Sequence, residues 1–91
     1  MKYFTYVLQS QKDNRLYFGQ TQNLEKRLED HNSGKSTYTK HFTPWVTVAY
    51  KSFTSRKEAV GFEKKLKNLK SRERVKGFIL SHRFTKLKEI K

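Results

Sequence analysis

The sequence predicts a small α+β domain in which strands and helices follow one another along the chain. Residues 3–9 and 45–53 alternate between two faces and are rich in aromatic and β-branched side chains, which indicates strands. Asn23, Ser55 and Ser71 are good N-caps that precede apolar patterns with helical spacing, which indicates helices. The 91 residues form one domain, which buries only about two-thirds of the unfolded chain's surface.

The first strand, residues 3–9, is predicted to begin a β-hairpin. Turn-forming residues occupy positions 11–14, and the short aromatic run of residues 15–19 ends in a glycine. The simplest pairing of the two segments is antiparallel. This pairing would place Tyr6 and Tyr17 on neighbouring strands.

The first helix is predicted over residues 23–33, and its inward stripe is unusual. Asn23 caps its start, and Gly34 is a good C-terminal stop. The stripe contains two leucines, but it also contains Arg27 and His31. Because burying an unpaired charge costs several kcal/mol, we expect the stripe to border a polar, partly wet cavity. The helix is therefore predicted to form one wall of a site.

The connection from Lys35 to Pro44 has no periodicity and mixes basic, hydroxyl and aromatic residues. A connection of this length in so small a domain is more often functional than a simple link. Lys40 could contact a phosphate. Tyr38, His41 and Phe42 could either stack on a base or pack beneath the loop.

The second half of the chain contains the third strand, residues 45–53, and two helices. Residues 55–58 form a capping box at the start of the second helix. Its inward stripe contains apolar residues together with Glu63 and, at the far end, Lys70. The third helix begins after Ser71, and we expect His82 at its end to be a core-edge residue and not a ligand.

The last nine residues, 83–91, allow three interpretations. They could continue the third helix, pack their apolar side chains loosely, or fray. We therefore predict a single domain over residues 1–82, followed by a basic C-terminal tail or a helix extension over residues 83–91.

The charge is strongly basic and unevenly distributed. The chain has 21 Lys and Arg against 8 Asp and Glu, a net charge of +13. Residues 1–34 carry a net +1, whereas residues 35–91 carry a net +12. This excess favours a polyanionic partner, with nucleic acid ahead of an anionic membrane surface. The candidate nucleic-acid contacts are Lys35, Lys40, Lys64, Lys67 and Lys70.

Several protein classes are excluded by composition. The absence of cysteine excludes a disulfide framework and thiolate metal sites. No apolar run approaches the roughly 20 residues of a membrane span, and the N-terminus lacks a signal-peptide pattern. We therefore expect a soluble, cytoplasmic protein.

Five polar side chains at inward positions form a candidate site: Tyr6, Tyr17, Arg27, His31 and Glu63. In one interpretation they are structural, and Arg27 forms a salt bridge with Glu63. In the other they hydrolyse a phosphodiester, with Mg²⁺ or Mn²⁺ on Glu63 and Arg27 on the phosphoryl oxygens. A tyrosine or His31 would then accept the proton of the attacking water. His31 would be the easier base, because an unperturbed histidine has a pKa of about 6.5 and tyrosine about 10.

The order and spacing of these residues resemble the GIY-YIG nuclease domain. The likeness is greatest to small stand-alone bacterial proteins related to the N-terminal domain of the UvrC excinuclease subunit, and it extends to about Ile79. It is carried by Thr5-Tyr6-Val7, Tyr17-Phe18-Gly19, Thr21, Asn23-Leu24, Arg27-Leu28, His31-Asn32, Gly34, Tyr38-Thr39, Pro44, the capping box and Glu63.

The resemblance implies a three-stranded antiparallel sheet flanked by helices and one divalent cation, Mg²⁺ or Mn²⁺, on Glu63. It places Arg27 at the phosphate and uses Tyr6 and Tyr17 to position or activate water. Gly19 would let the backbone pass closely beside the site. The implied activity is a metal-dependent DNA endonuclease that acts on branched, nicked or damaged duplexes in repair or recombination, with RNA as an open alternative.

The sequence departs from the family pattern within the motifs, where the first reads Thr5-Tyr6-Val7 and Phe18 replaces an isoleucine of the second, and at two further places. Gln20 stands where the excinuclease relatives have a lysine, which puts lysine-assisted lowering of a tyrosine pKa in doubt. An asparagine that follows the metal-binding glutamate in some relatives has no clear counterpart, and Lys70 is the only substitute we identify.

Two other functions are open at the level of the sequence. One is a nucleic-acid-binding protein that keeps the fold without cutting, and the other is a subunit that needs a protein partner. Exposed Phe42, Trp45 or Phe84 would indicate the partner-dependent subunit. An inward Glu63 favours the nuclease, because a protein that only binds has no need of it.

Overall fold

The computed structural model describes residues 1–91 and contains a four-stranded antiparallel sheet flanked by three helices. The strands lie in the order β2-β1-β3-β4. Helix α1 covers one face of the sheet, and α2 and α3 cover the other. The elements are β1 (Tyr3–Ser10), β2 (Leu16–Thr21), α1 (Leu24–Asn32), a short 3-10 helix (Thr39–Phe42), β3 (Trp45–Phe53), α2 (Arg56–Lys67), α3 (Arg72–Ser81) and β4 (Thr85–Lys86).

The predicted hairpin is confirmed and is formed by β1 and β2. Its register pairs Tyr6 with Gly19 and Leu8 with Tyr17. Because side chains two residues apart share a face, Tyr6 and Tyr17 both lie on the face covered by α1. Asn14 makes the tight turn possible by adopting a left-handed backbone conformation with a φ of 65°.

All three predicted N-caps are confirmed. The side chain of Asn23 accepts a hydrogen bond from the backbone N–H of Lys26 at the start of α1. Ser55 and Ser71 make the equivalent bonds at the starts of α2 and α3. These caps satisfy backbone donors that the first turn of a helix leaves without partners.

The two faces of the sheet bury different kinds of side chain. Between the sheet and helices α2 and α3 lies an apolar core, formed by Val7, Val48, Ala49, Leu66, Val75, Ile79, Phe84 and Ile90. On the α1 face, a smaller cluster of Tyr6, Leu8 and Trp45 is packed against Tyr17, Leu24, Leu28, Phe42 and Tyr50. The candidate site residues belong to this second face.

The C-terminal residues correct two expectations. Helix α3 ends at Ser81, and Arg83 reverses the chain with a φ of 57°, so residues 83–91 neither extend the helix nor fray. They add β4, which pairs with β3 and makes the sheet four-stranded instead of three-stranded. The side-chain amide of Gln9 holds the backbone of Lys91 through two hydrogen bonds of 3.2 Å. Burial of Phe84 and Ile90 in the apolar core provides the driving force.

The predicted inward position of Lys70 is wrong. Helix α2 ends at Lys67, with Asn68 as its C-cap, so Lys70 lies beyond the helix and is exposed. It borders a groove with Leu16 and Phe18, whose side chains pack against the apolar core. The lysine therefore cannot stand in for the missing asparagine of the family pattern.

None of the three helices is long and apolar enough to cross a membrane.

Candidate active site

A chain of hydrogen bonds between α1 and the sheet connects residues of β1, α1 and the 3-10 helix. The hydroxyl of Tyr6 lies 3.0 Å from Nε2 of His31, and Nδ1 of the same imidazole lies 2.7 Å from the hydroxyl of Thr39. His31 and Thr39 are fully buried, and Tyr6 is nearly so. No buried side-chain nitrogen or oxygen lacks a partner, so this polar cluster is satisfied and rigid.

Gly19 explains how the ring of Tyr6 fits beneath the neighbouring strand. The two residues are paired in the hairpin register, and a Cβ atom at position 19 would lie 2.6 Å from Cζ of Tyr6. Real Cβ contacts are never this short, so any larger residue would displace the tyrosine. The glycine of the second motif is thus required by the tyrosine of the first.

Tyr17 occupies the centre of the site and contacts aromatic side chains on several sides. Its ring centroid lies 4.9 Å from that of His31, 6.4 Å from that of Tyr6 and 6.1 Å from that of Trp45. These distances are typical of favourable aromatic pairs. The surrounding rings restrict Tyr17 to one orientation at the mouth of the site.

Two clamps hold the end of α1 and the loop that follows it. The side chain of Asn32 accepts a hydrogen bond from the backbone N–H of Trp45 at 2.6 Å and donates one to its carbonyl at 3.0 Å. The indole N–H of Trp45 donates to the backbone carbonyl of Thr39 at 2.8 Å. These bonds fix Thr39 in contact with His31.

Arg27 faces the hydroxyls of Tyr6 and Tyr17 from α1, as the inward stripe predicted. Burial raises the pKa of Tyr6 to about 12, although the charge and hydrogen bonding of Arg27 oppose this rise. At neutral pH Tyr6 is therefore a protonated phenol. It can donate a hydrogen bond and can accept one at its oxygen.

His31 does not keep the unperturbed pKa of about 6.5 on which its choice as the easier base rested. Burial, followed by the positive charge of Arg27, lowers the pKa of His31 to about 4. The imidazole is therefore neutral at pH 7, with both ring nitrogens engaged by hydroxyl groups. This environment makes His31 a weaker base than a solvent-exposed histidine.

Glu63 extends from α2 toward the same site, and its charge acts on Tyr6. Nζ of Lys67 donates to Oε2 of Glu63 at 2.6 Å, and the Glu63 side chain is 19% exposed. The salt bridge between Arg27 and Glu63, considered above as a structural alternative, is not formed. Lys67 is the partner of Glu63 because the two residues are one helical turn apart on α2.

The donor set available to a metal ion is small. No group of three or more His, Cys, Asp or Glu side chains is arranged to hold one. Mg²⁺, however, is usually bound by one or two carboxylates together with waters and substrate phosphates. A single accessible carboxylate, that of Glu63, fits this mode of binding and does not fit a cation held by protein ligands alone.

The candidate nucleic-acid contacts lie at different distances from the site. Lys67 lies within it, beside Glu63, and its charge also acts on Tyr17. Lys35 pairs with Asp30 at 3.5 Å on the far end of α1. Lys40 is exposed in the loop and Lys64 is exposed on α2, whereas Lys70 is exposed on the opposite side of the sheet from Tyr17.

The reasoning from sequence missed the function of Thr39 and Trp45 in holding His31. Thr39 was visible only as a hydroxyl residue in an aperiodic loop, and no local pattern connects it to a histidine eight residues earlier. The signs of a partner-dependent subunit are also not met. Trp45 and Phe84 are buried, and Phe42 is partly buried beneath the loop.

The largest surface groove lies away from these residues. It runs between α1, β3 and the C-terminal segment, and its walls include Phe4, Leu24, Leu28, Tyr50 and Leu87. It contains neither Tyr17 nor Glu63 and offers one carboxylate, that of Glu25, at its edge. The groove is therefore separate from the candidate active site.

Comparison with known protein families identifies the domain. The model of the GIY-YIG catalytic domain matches residues 2–76 of the chain. The chain belongs to the GIY-YIG family. This is a family of nucleases, so a nucleic acid is the substrate class that membership implies. Tyr6 and Tyr17, which we expected to be the tyrosines of its two motifs, are brought onto one face by the hairpin.

Small bacterial proteins are similar to this GIY-YIG chain over most of their length. A UPF0213 protein of Staphylococcus haemolyticus is 38% identical over 76 residues, which cover 82% of this chain and 92% of that protein. The UPF0213 protein YsiG of Lactococcus lactis is 37% identical over 95 aligned positions, which cover 99% of this chain and 90% of that protein. The solution NMR structure of a UPF0213 protein from Bacillus halodurans has 32% identity and a TM-score of 0.54, and the match covers 87% of this chain and 83% of that one.

Proposed function

We propose that the protein is a metal-dependent endonuclease that hydrolyses phosphodiester bonds of DNA. One observation carries the proposal: Tyr6, Tyr17 and Arg27 are assembled on one face of the sheet within electrostatic range of Glu63. A protein that only binds nucleic acid has no need of a carboxylate at this position, because a carboxylate repels phosphate.

Arg27 is proposed to bind the non-bridging oxygens of the scissile phosphate. Its guanidinium can donate two parallel hydrogen bonds to a phosphate and stabilises negative charge that develops as the bond breaks. Lys67 supplies a second positive charge at the same place. Tyr6 and Tyr17 lie beside Arg27 and orient the attacking water through their hydroxyls.

The proton of the attacking water is proposed to be accepted at the oxygen of Tyr6. The hydroxyl proton of Tyr6 would pass to Nε2 of His31, which lies 3.0 Å away, as the proton of the water reaches the Tyr6 oxygen. Nε2 accepts this proton in the tautomer whose Nδ1–H donates to the Thr39 hydroxyl. His31 therefore contributes through Tyr6 and does not contact the substrate.

Glu63 is the residue that would hold a divalent cation, Mg²⁺ or Mn²⁺. When bound, such a cation would act as a Lewis acid on a phosphate oxygen. In the structure the Glu63 carboxylate is paired with Nζ of Lys67.

The excess of basic residues after position 34 supports binding to the phosphate backbone, through Lys35, Lys40, Lys64 and Lys67 in particular. Charge contacts of this kind carry no sequence information. We therefore propose recognition of DNA structure, such as branches, nicks or damage, in repair or recombination.

The second candidate is a nucleic-acid-binding protein of the same fold that does not cut. The ion pair between Lys67 and Glu63 favours it, because the lysine occupies the carboxylate that a cation would need. Both candidates predict salt-sensitive binding, so affinity alone does not separate them.

Cleavage of end-labelled DNA separates the two candidates. Duplex, nicked, flapped and branched substrates would be incubated with Mg²⁺, with Mn²⁺ and with EDTA, using the unmodified protein, Glu63→Gln and Glu73→Gln. Glu73 is the matched control, because it pairs with Lys76 on α3 but is 85% exposed and far from Tyr17. The nuclease predicts cation-dependent cutting that falls at least about 100-fold in Glu63→Gln and not in Glu73→Gln.

Binding would be measured in parallel by fluorescence anisotropy at about 50 and 200 mM salt. Tight, salt-sensitive binding by all three proteins without cutting of any substrate would favour the protein that binds and does not cut. Binding that does not change with salt would contradict both candidates.

A further inference from the structure

Tyr38 is the only aromatic side chain among the four exposed large hydrophobic residues, and half of its surface is open to solvent. It lies in the loop after α1, immediately before the 3-10 helix. The sequence left open whether this ring packs beneath the loop or faces a ligand. The ring packs against Tyr17 and Phe42, and its exposed part is available to a ligand.

The ring is held in place although it is exposed. Nη1 of Arg15 donates a hydrogen bond to the Tyr38 hydroxyl at 3.0 Å, and Phe42 contacts the ring at a centroid distance of 5.3 Å. The Arg15 guanidinium also lies 3.5 Å from the centroid of Phe42 and is anchored by Asp13 at 2.8 Å. We call Arg15, Tyr38 and Phe42 the Tyr38 platform. Because its members fix one another, a ligand would lose little affinity to the ordering of side chains.

The Tyr38 platform is continuous with the candidate active site. Tyr38 and Tyr17 are stacked with an interplanar angle of 26° and centroids 6.3 Å apart. Successive phosphates of a strand are separated by about 3.4 Å along the axis of duplex DNA. A phosphate beside Tyr17 would therefore have its flanking nucleotides within reach of Tyr38.

The charges around the platform suit a nucleic acid. Arg15 belongs to it, Lys40 is exposed in the same loop, and Nζ of Lys12 donates to the carbonyl of His41 at 3.2 Å. Asp13 is the only carboxylate in direct contact, and Arg15 neutralises it. Aromatic rings among basic residues are the usual arrangement for binding unpaired nucleotides.

We propose that Tyr38 stacks on a nucleobase that has left its helical stack, next to the phosphate bound by Arg27. This inference deepens the proposed function, on which it rests, by naming the feature that the enzyme recognises. In a paired duplex both faces of each base are covered by neighbouring bases, so only an unpaired base can present a face to Tyr38. The preferred substrates are therefore DNAs with an unpaired nucleotide at the cutting site, such as a bulge or a flap.

The test compares two DNA duplexes that differ by one bulged 2-aminopurine, whose fluorescence falls when it stacks. Binding and fluorescence would be measured in the Glu63→Gln background, so that no substrate is cut, with Tyr38, Tyr38→Phe, Tyr38→Leu and Tyr38→Trp. Tyr38→Leu is expected to weaken binding of the bulged DNA by about 5- to 150-fold, because losing the stacking of one base on an aromatic ring reduces affinity by this factor. It is also expected to abolish quenching. Binding of the paired duplex is expected to change by less than about 2-fold.

The aromatic variants serve as controls for folding and for the bond to Arg15. Tyr38→Phe loses that bond but keeps a ring, so it is expected to retain binding and quenching, and Tyr38→Trp is expected to increase quenching. Equal weakening of both duplexes in Tyr38→Leu, or quenching that is the same in all four proteins, would overturn the proposal. These measurements do not require cleavage. Absence of DNA cutting would therefore contradict only the proposed nuclease, whereas the binding and quenching results test only the stacking of Tyr38 on a base.

Discussion

The two faces of the sheet are built from the same strands, but the side chains that they bury differ in polarity. On the α2 and α3 face the buried cluster is apolar and includes Val7 and Leu66, and the buried Thr5 hydroxyl donates to the backbone carbonyl of Ala59 at 2.7 Å. On the α1 face, strand residue Tyr6 is buried together with His31 and Thr39, and each polar group is hydrogen-bonded. Val7 and Tyr6 are adjacent in sequence and point to opposite faces.

This difference indicates a division of labour between stability and chemistry. Burial of apolar area drives folding, and the larger cluster supplies it. A buried, satisfied polar network adds less net stability but holds its members in one geometry. The small domain can therefore keep an ordered polar site on one face because the other face supplies most of the buried apolar area.

The largest expected effect comes from the apolar face. Leu66→Ala removes a fully buried side chain and is expected to lower the free energy of unfolding by about 2–5 kcal/mol, through lost burial and the cavity left behind. Leu80→Ala is the matched control, because Leu80 is also helical but is 68% exposed. Urea unfolding followed by circular dichroism measures both. Equal losses in the two variants would contradict the assignment of the apolar face as the source of stability.

A smaller expected effect connects the two motifs of the α1 face. Gly19→Ala places a methyl group against the Tyr6 ring and is expected to destabilise the protein by up to about 3 kcal/mol. Cleavage of DNA is expected to fall as well, because the Tyr6 hydroxyl must move. In a Tyr6→Leu background, which lacks the ring that the methyl group would contact, Gly19→Ala should cost less stability than it does alone. Simple addition of the two stability losses in the double variant would show that the contact is not the cause.

The smallest expected effect is a dependence of stability on pH. The pKa of His31 is about 4 in the folded protein and about 6.5 when unfolded, so between these values the unfolded state binds more protons. The stabilisation that comes from keeping His31 neutral is fully present above pH 6.5, and it is lost as the pH falls toward 4. From pH 7.5 to 5 we expect a loss of about 2 kcal/mol in the free energy of unfolding.

Urea unfolding of the unmodified protein and of His31→Gln across this pH range isolates the contribution of the histidine. The variant should lose the greater part of the pH dependence, because glutamine does not titrate. A pH profile that is the same in both proteins would assign the effect to other groups.

Much of the fold was predictable because its signals are local. The alternation of residues 45–53 predicted β3 with the bounds observed, and Ser55 and Ser71 marked the starts of α2 and α3. The hairpin and the inward position of Arg27 followed from side-chain periodicity. The site residues were identified for a related reason, since polar groups at core positions of strands and helices are conspicuous in a sequence.

Other features depended on residues that are distant in the chain. Strand β4 has only two residues, and it forms because β3 offers an open edge and Phe84 enters the apolar core. Because α2 ends at Lys67, Lys70 lies outside the helix and does not face inward, although its spacing fits the helical stripe. A short pairing segment and a helix end are decided by competition between local preference and packing.

The sequence by itself determined the elements, their order and the set of polar residues that face inward, because period and capping are properties of neighbouring residues. Only the tertiary structure decided how those residues act on one another. It placed Tyr6 against Gly19, enclosed His31 between two hydroxyls, lowered its pKa to about 4 and left Tyr38 exposed beside Tyr17. Burial and contact distance are set when the whole chain packs, and they determine pKa values and accessible surface.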